Sequence, residues 1–252
     1  GLKGITIESA PKQIARRIRE AILEGTIEAD ERLPTEDELA RQFGVSRATL
    51  REALKRLAAE NLIESRRGAA GGNVVRTPSH EDIKNNIAAA ITVGVSFNLF
   101  SFQDFAGTRL QLTQACSQLA AQMRTEANLE IMREEIAQQR SQQITDVEFC
   151  ASDVRFHCQI AAATHNPLLA ASAAGILEGL EPIMNLLLFR FRERATIADQ
   201  HERLVEALEA RDPERATAVL KEQTEYLIKT MRDAKRSRRM RDRGITKVIA
   251  KP

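Results

Sequence analysis

Two groups of residues in this chain have the types and spacing to do chemistry. The first is Asp153 and His157, four residues apart. On a helix that spacing sets a carboxylate and an imidazole one turn apart on one face. Side by side they can hold a divalent cation. His201 shares a face with Leu204, Val205 and Leu208, and could add a third donor from another helix. On spacing alone, a surface Asp–His contact and a hydrogen-bonded histidine are the commoner readings of these residues. The second group is Ser46, Arg47, Ala48, Thr49 and Arg51. At the start of a helix, backbone N–H groups and the helix dipole favour phosphate. Short side chains there let the helix enter a major groove, and arginines can fork onto guanine edges or phosphates.

The elements that must position this second group are legible nearby. Leu33-Pro34-Thr35 stops the preceding segment, and Thr35 can cap a helix whose first turn carries Glu36, Asp37 and Glu38. Leu39, Ala40 and Phe43 give that short helix one apolar face, and Gly44 suits a left-handed stop. Ser46 caps a second helix with Leu50, Ala53, Leu54 and Leu57 inward. This pattern predicts a helix-turn-helix. The run LIESRRGAAGGNVV then reads as a hairpin around a glycine-rich turn, with Arg66 and Arg67 at its start. Such a wing brings cations beside a duplex. A generic solvated helix pair with a surface hairpin is the rival, and the order helix, turn, helix, wing argues against it. Pro11 opens an earlier helix with Ile14, Ile18, Ala21 and Ile22 on one stripe, ended by Gly25.

The chain has 252 residues, enough for two ordinary domains, and a net charge of +2 that by itself favours no partner. Cys116, Cys150 and Cys158 lack metal or redox spacing and cannot all pair, which fits a reducing cytoplasm. No apolar run approaches a membrane span, and no signal-like start is evident. Trp is absent and helix-forming residues dominate. Thr77-Pro78-Ser79 breaks structure, and the pattern beyond it is helical. It predicts helices over 81–93, interrupted at 94–96, from a cap at Ser101 through Met123, and over 128–143 and 146–163. Further helices are predicted over 168–194, 197–210 and 213–232. His165-Asn166-Pro167 reads as a helix stop. Helices in this number imply a bundle with a central cavity. Arg109 lies in a mostly neutral helix, AGTRLQLTQACSQLAAQ, from which its guanidinium could grip a carboxylate by two parallel hydrogen bonds. A solvent-facing Arg109 is the alternative. Arg190, Arg192 and Arg194 cannot all face the cavity, and Cys158 beside His157 suits packing better than ligation. The basic stretch KRSRRMRDRG reads as a solvated tail, with an extra phosphate contact as the alternative.

Residues 11–76 resemble the winged helix-turn-helix of the GntR family of bacterial transcription regulators. The motif carrying this is PKQIARRIREAILEG followed by LPTEDELARQFGVSRATLREALKRLAAENLIESRRG. The resemblance implies DNA contacts at Thr35, Ser46, Arg47, Thr49 and Arg51, and at Arg67 and Gly68 on the wing tip. Many members carry a DNA-contacting Arg where this chain has Asp37. Residues 82–232 resemble the FadR-type C-terminal (FCD) domain through TRLQLTQACSQLAAQ, DVRFHCQIAAATHNPLL, QHERLVEALEARD and ERATAVLKEQTEYL. Similar domains hold Zn, Ni or Mn on one Asp and three His. Asp153, His157 and His201 match three of those positions, and Gln223 stands at the fourth. In similar regulators an Arg at the position of Arg109 faces an organic acid.

The expected fold is mainly α: a winged helix-turn-helix over 1–76, a linker over 77–82, an all-helical effector-binding bundle over 83–234, and a basic tail over 235–252. The expected function is DNA-binding regulation, as a repressor modulated by a small carboxylate; with the weak amide of Gln223 at the fourth position, the carboxylate is held either with a divalent metal or in a metal-free pocket. The partners are palindromic double-stranded operator DNA, the carboxylate effector and a second copy of the chain, with no membrane. The expected location is the cytoplasm, on the nucleoid. One rival is a metal-dependent enzyme acting on a small organic acid through Asp153, His157 and His201, but no nucleophile or general base stands out beside that trio. Another is an architectural DNA binder with no effector.

Overall fold

The computed structural model describes residues 8–66, 71–188 and 193–249, and side chains at these positions except 182–188, 231 and 233–249. Arg67, Gly68, Arg190 and Arg192 lie outside the described residues, as do the side chains of the basic tail. The chain divides into two compact units, Gly1–Asp82 and Ile83–Pro252.

The first unit holds α1 (Ala10–Leu23), α2 (Glu36–Phe43), α3 (Arg47–Ala59) and an antiparallel hairpin of β1 (Ile63–Arg66) and β2 (Gly72–Val75). Its core joins Ile14, Ala15 and Ile18 of α1 to Leu50, Ala53, Leu54 and Leu57 of α3, with Leu39, Ile63 and Val75 around them. Local chemistry sets the boundaries. Thr35 and Glu38 form a reciprocal capping box on α2, and Gly44 ends that helix at φ +65°, where a side chain would be strained. Ser46 caps α3 by accepting from the Thr49 N–H. A third segment joins the wing, because Leu33 N donates to Asn73 O and Val75 N donates to Glu31 O.

The second unit holds α4 (from His80–Ser96, most of which lies here), α5 (Phe102–Met123), α6 (Glu126–Gln139), α7 (Asp146–Ala162), α8 (Pro167–Leu188), α9 (Arg194–Glu209) and α10 (Pro213–Ile249). Helix α7 packs on α5, α6 and α8, while α9 packs on α6 and α10. The core runs through Cys116, Leu129, Met132, Phe156, Ile160, Leu204, Leu208 and Leu220. Among the described residues no helix is long and apolar enough to cross a membrane.

Four expectations need correction. Helix α4 begins at His80, inside the expected linker, because the Ser79 hydroxyl accepts from Asp82 N while Asp82 accepts from Ser79 N. It also continues through Gly94 to Ser96. Gly94 is needed there because a Cβ would fall 2.5 Å from the Phe100 ring. Arg194 opens α9 instead of closing the helix before it. Helix α10 runs past 234 to Ile249, since its Ala-, Arg-, Lys- and Met-rich sequence offers good helix formers and no proline.

Four carboxylates close helix starts. Glu38, Asp82 and Asp104 are held below their ordinary range first by the hydroxyls of Thr35, Ser79 and Ser101, and Glu148 first by the Thr145 backbone N–H. A depressed folded value means that their stabilisation is full above about pH 4 and is lost as pH falls through the folded values. Helix α6 uses Asn128 in the same place and does not titrate there. Acid titration followed by circular dichroism should therefore show stability falling below about pH 4. Asp104→Asn should flatten that dependence.

Candidate functional site

The first unit presents the α3 N-terminus outward. Arg47, Ala48 and Arg51 are exposed and Thr49 is half-buried. Neither arginine stands alone. Arg47 Nε lies 2.5 Å from Asp37 Oδ1, and Arg51 Nε lies 2.7 Å from Glu36 Oε2. The acids of α2, read from sequence as partners of the helix dipole, also hold the cations of the recognition face. Thr35 and Ser46 are occupied as caps, and Arg66 on the wing pairs with Glu64 and Asp30.

In the second unit, α7 carries Asp153 and His157 inward, at 1% exposure each, and α9 brings a fully buried His201 against them. Asp153 Oδ1 is 3.3 Å from His201 Nε2 and 3.9 Å from His157 Nε2. One donor atom from each of the three lies within 4.8 Å of the others. Two imidazole nitrogens and a carboxylate oxygen at this separation are a donor set suited to a borderline divalent cation. The other carboxylate oxygen, Oδ2, accepts from Arg109 Nη2 at 3.0 Å. Phe156 fixes the rings. It stacks on His201 at 4.0 Å between centroids and meets His157 edge-on at 5.5 Å.

Arg109, Asp153 and His157 line a cavity of about 30 Å³ together with Thr113, Gln200, Gln223 and Tyr226. That is room for an ion and little more. Asp153, His157, Arg109 and Gln223, read separately from the sequence, thus share one cavity wall, with His201 behind Asp153. The residues missed are Phe156, Thr113, Gln200 and Tyr226. Phe156 is adjacent to His157 in the chain, yet an aromatic in a helical stripe reads as plain core. His165 Nε2 lies 3.2 Å from Asn128 Oδ1, which can only accept, and Arg194 pairs with Asp146, both away from the cavity.

Comparisons with known proteins extend this geometry. Residues 11–71 match the bacterial regulatory proteins of the gntR family, and residues 104–225 match the FCD domain. A protein of Escherichia coli (strain K12), provisionally named L-lactate dehydrogenase operon regulatory protein, is 30% identical over 231 residues, covering 87% of this chain and 85% of that one. The chain belongs to the GntR family. The regulator is also 25% identical over 234 residues to the Glc operon transcriptional activator of Escherichia coli (strain K12), covering 87% of this chain and 88% of that one. Among solved structures, Streptococcus agalactiae GntR shares the fold, with a TM-score of 0.50 at 21% identity over 86% of this chain and 98% of that chain. The chain is a DNA-binding transcription regulator with an FCD domain, and the enzyme reading is not favoured.

Cys158 adjoins His157, but burial, helped by Glu178, pushes its thiol up to about 12, and burial pushes Cys116 to about 11. At pH 8 their thiolate fractions are then about one in a thousand or less. Iodoacetamide should leave both unmodified in the native regulator and label them after denaturation, as peptide mass spectrometry would record. Rapid native labelling of Cys158 would contradict its packing role.

Proposed function

We propose that the regulator is a metabolite-responsive repressor whose operator affinity changes when a small carboxylate enters the cavity of its helical bundle. The observation that carries this reading is the buried convergence of Arg109, Asp153, His157 and His201 beside one cavity. A chain that needed only a packed bundle would have little use for a carboxylate at 1% exposure with three polar partners. Effector and operator affinities are then reciprocally coupled.

Asp153, His157 and His201 would hold a divalent metal, Zn, Ni or Mn, with Gln223 as a fourth and weaker amide oxygen donor. Bound there, the cation would neutralise Asp153 and offer an open position to an oxygen of the effector. Arg109 supplies the second recognition element. Its guanidinium is engaged by Asp153, so an effector carboxylate competes with that side chain for it. A metabolite needs more room than the cavity offers with Arg109 seated on Asp153, and movement of Arg109 is the obvious way to gain it. One relative is named for an L-lactate dehydrogenase operon, and lactate is a small hydroxy acid of the class such a site takes.

At the DNA face, Arg47 and Arg51 are assigned to base or phosphate contacts, with Thr35, Ser46 and Thr49 on the backbone and Arg67 and Gly68 at the wing tip. The regulator acts as a homodimer on a palindromic operator, because one head reads too short a half-site for genomic specificity. Repression is the expected sign. A reporter gene placed behind the operator reads this sign, and activation, the activity named for the Glc relative, is the opposite outcome.

Arg47→Ala or Arg51→Ala should lose about 1–3 kcal/mol of specific operator binding for each base contact removed. Arg67→Ala should reduce the salt slope of binding by about one if it meets a phosphate. Fluorescence anisotropy with operator DNA over a salt series measures both, and unchanged affinity in all three variants would sink the assignment.

For the bundle, elemental analysis of purified protein should find a divalent metal, lost in His157→Ala and bound more tightly in Gln223→His. Arg109→Ala should abolish the effector response while operator affinity stays intact. A metal content near zero in both wild type and Gln223→His would remove the metal from this reading.

A further inference from the structure

Beyond the cavity wall, a chain of buried hydrogen bonds runs from the bundle surface to His201. Arg155 grips Glu135 with two prongs, Nε to Oε1 at 2.7 Å and Nη2 to Oε2 at 2.9 Å. The Ser152 hydroxyl lies 2.7 Å from Glu135 Oε2. Gln139 Nε2 lies 3.1 Å from Ser152 Oγ, and Gln139 Oε1 lies 2.7 Å from His201 Nδ1. Glu135, Gln139, Ser152 and His201 are all buried, at 8%, 2%, 0% and 0% exposure.

The direction of each bond follows from the first. A carboxylate clamped by a guanidinium only accepts, so Ser152 must spend its one hydrogen on Glu135. The Ser152 oxygen is then left to accept, which calls for the NH2 end of Gln139. The amide oxygen of Gln139 therefore faces His201 and can only accept, so His201 Nδ1 carries a hydrogen. Turning the amide over would set two donors against each other at His201 unless Nε2 alone held its proton. It would also make Glu135 and Gln139 compete for the single Ser152 hydrogen.

We infer that Gln139, oriented by Ser152 and Glu135, is a positioning residue that fixes His201 with its hydrogen on Nδ1 and aims Nε2 at Asp153. Nε2 is the nitrogen 3.3 Å from Asp153 Oδ1, so it is the one a shared cation would use. The partner of the distal ring nitrogen sets which nitrogen faces a metal and how rigidly it does so. Arg155 is the outer end of this relay, and its side chain is 49% exposed. The consequence for metal affinity rests on the metal reading proposed above, whereas the placement of the hydrogen does not.

Long-range 1H–15N spectra of the metal-free full-length protein, with His201 signals assigned by comparison with His201→Gln, test the placement. The wild type should show a hydrogen-bearing Nδ1. In Gln139→Met, which keeps the volume and removes the acceptor, a form with hydrogen on Nε2 alone should appear. A pyridine-type Nδ1 in wild type, or identical His201 signals in the two proteins, would overturn the inference. A Zn²⁺ titration of wild type, Gln139→Met and Ser152→Ala should then show binding weakened about 10–100-fold in the first variant and by a smaller factor in the second. Equal Zn²⁺ affinity in all three would overturn the positioning role. Failure of wild type to bind Zn²⁺ while Nδ1 still carries its hydrogen would remove the metal reading and leave the placement confirmed.

Discussion

The buried carboxylate of Asp153 is the constraint on which the bundle's interior depends. An ionised group at 1% exposure is expensive to desolvate unless other groups answer its charge and lone pairs. Helix α5 answers one oxygen with Arg109, while α7 and α9 set His157 and His201 towards the other, where a shared cation would complete the set. Each answer constrains its helix. Asp153 and His157 must point inward from α7 together, Phe156 must stack on His201, and α9 must present His201 at this height and no other. An apolar replacement of the same volume could pack as well. The polar cluster therefore fits a binding role better than a stability role.

What was legible in the sequence was local. Thr35, Ser46 and Ser101 cap helices where the pattern placed them, because a cap is decided within one turn. Gly44 ends α2 for a reason contained in its own backbone. Asp153 and His157 share a face because their spacing demands it. The illegible parts depended on distant partners. Gln139 lies 62 residues from His201 in a helix that reads as polar, and nothing in its own turn distinguishes it from its exposed neighbours. Arg109 meets Asp153 across 44 residues. Gly94 looked like a break until Phe100 was seen to occupy the space of its missing side chain. The extent of α10 is not marked in the sequence, because an apolar stripe shows where a helix packs, not where it stops.

Gly175 and Gly179 teach the same lesson. Both lie in the strongly apolar run of α8, where a glycine lowers helix propensity. A Cβ on Gly175 would come within 2.7 Å of the Ile87 side chain, and one on Gly179 within 2.7 Å of Ile91. The two glycines are four residues apart and admit α4 to close contact. Their helix-breaking tendency is outweighed by packing that only the partner helix reveals.

The recognition face obeys a related rule at the surface. Asp37 and Glu36 sit on Arg47 and Arg51, so any DNA atom that meets either arginine must displace a carboxylate or share the guanidinium with it. These pairs are exposed, with Arg47 and Arg51 at 66% and 62%, so water screens them and each contributes little. Exchanging the partner is therefore easy where DNA offers a good one. The carboxylates have a second effect that screening does not remove at contact distance: they repel phosphates. A duplex that offers only its backbone meets cations already half neutralised and acids beside them. A guanine edge offers N7 and O6 in the fork geometry of the guanidinium, which a single carboxylate oxygen does not reproduce. Acidic residues at the start of α2 thus lower the attraction to DNA in general more than the attraction to a matching base. On the DNA contacts proposed above, Asp37 shifts the balance of this face from affinity towards discrimination.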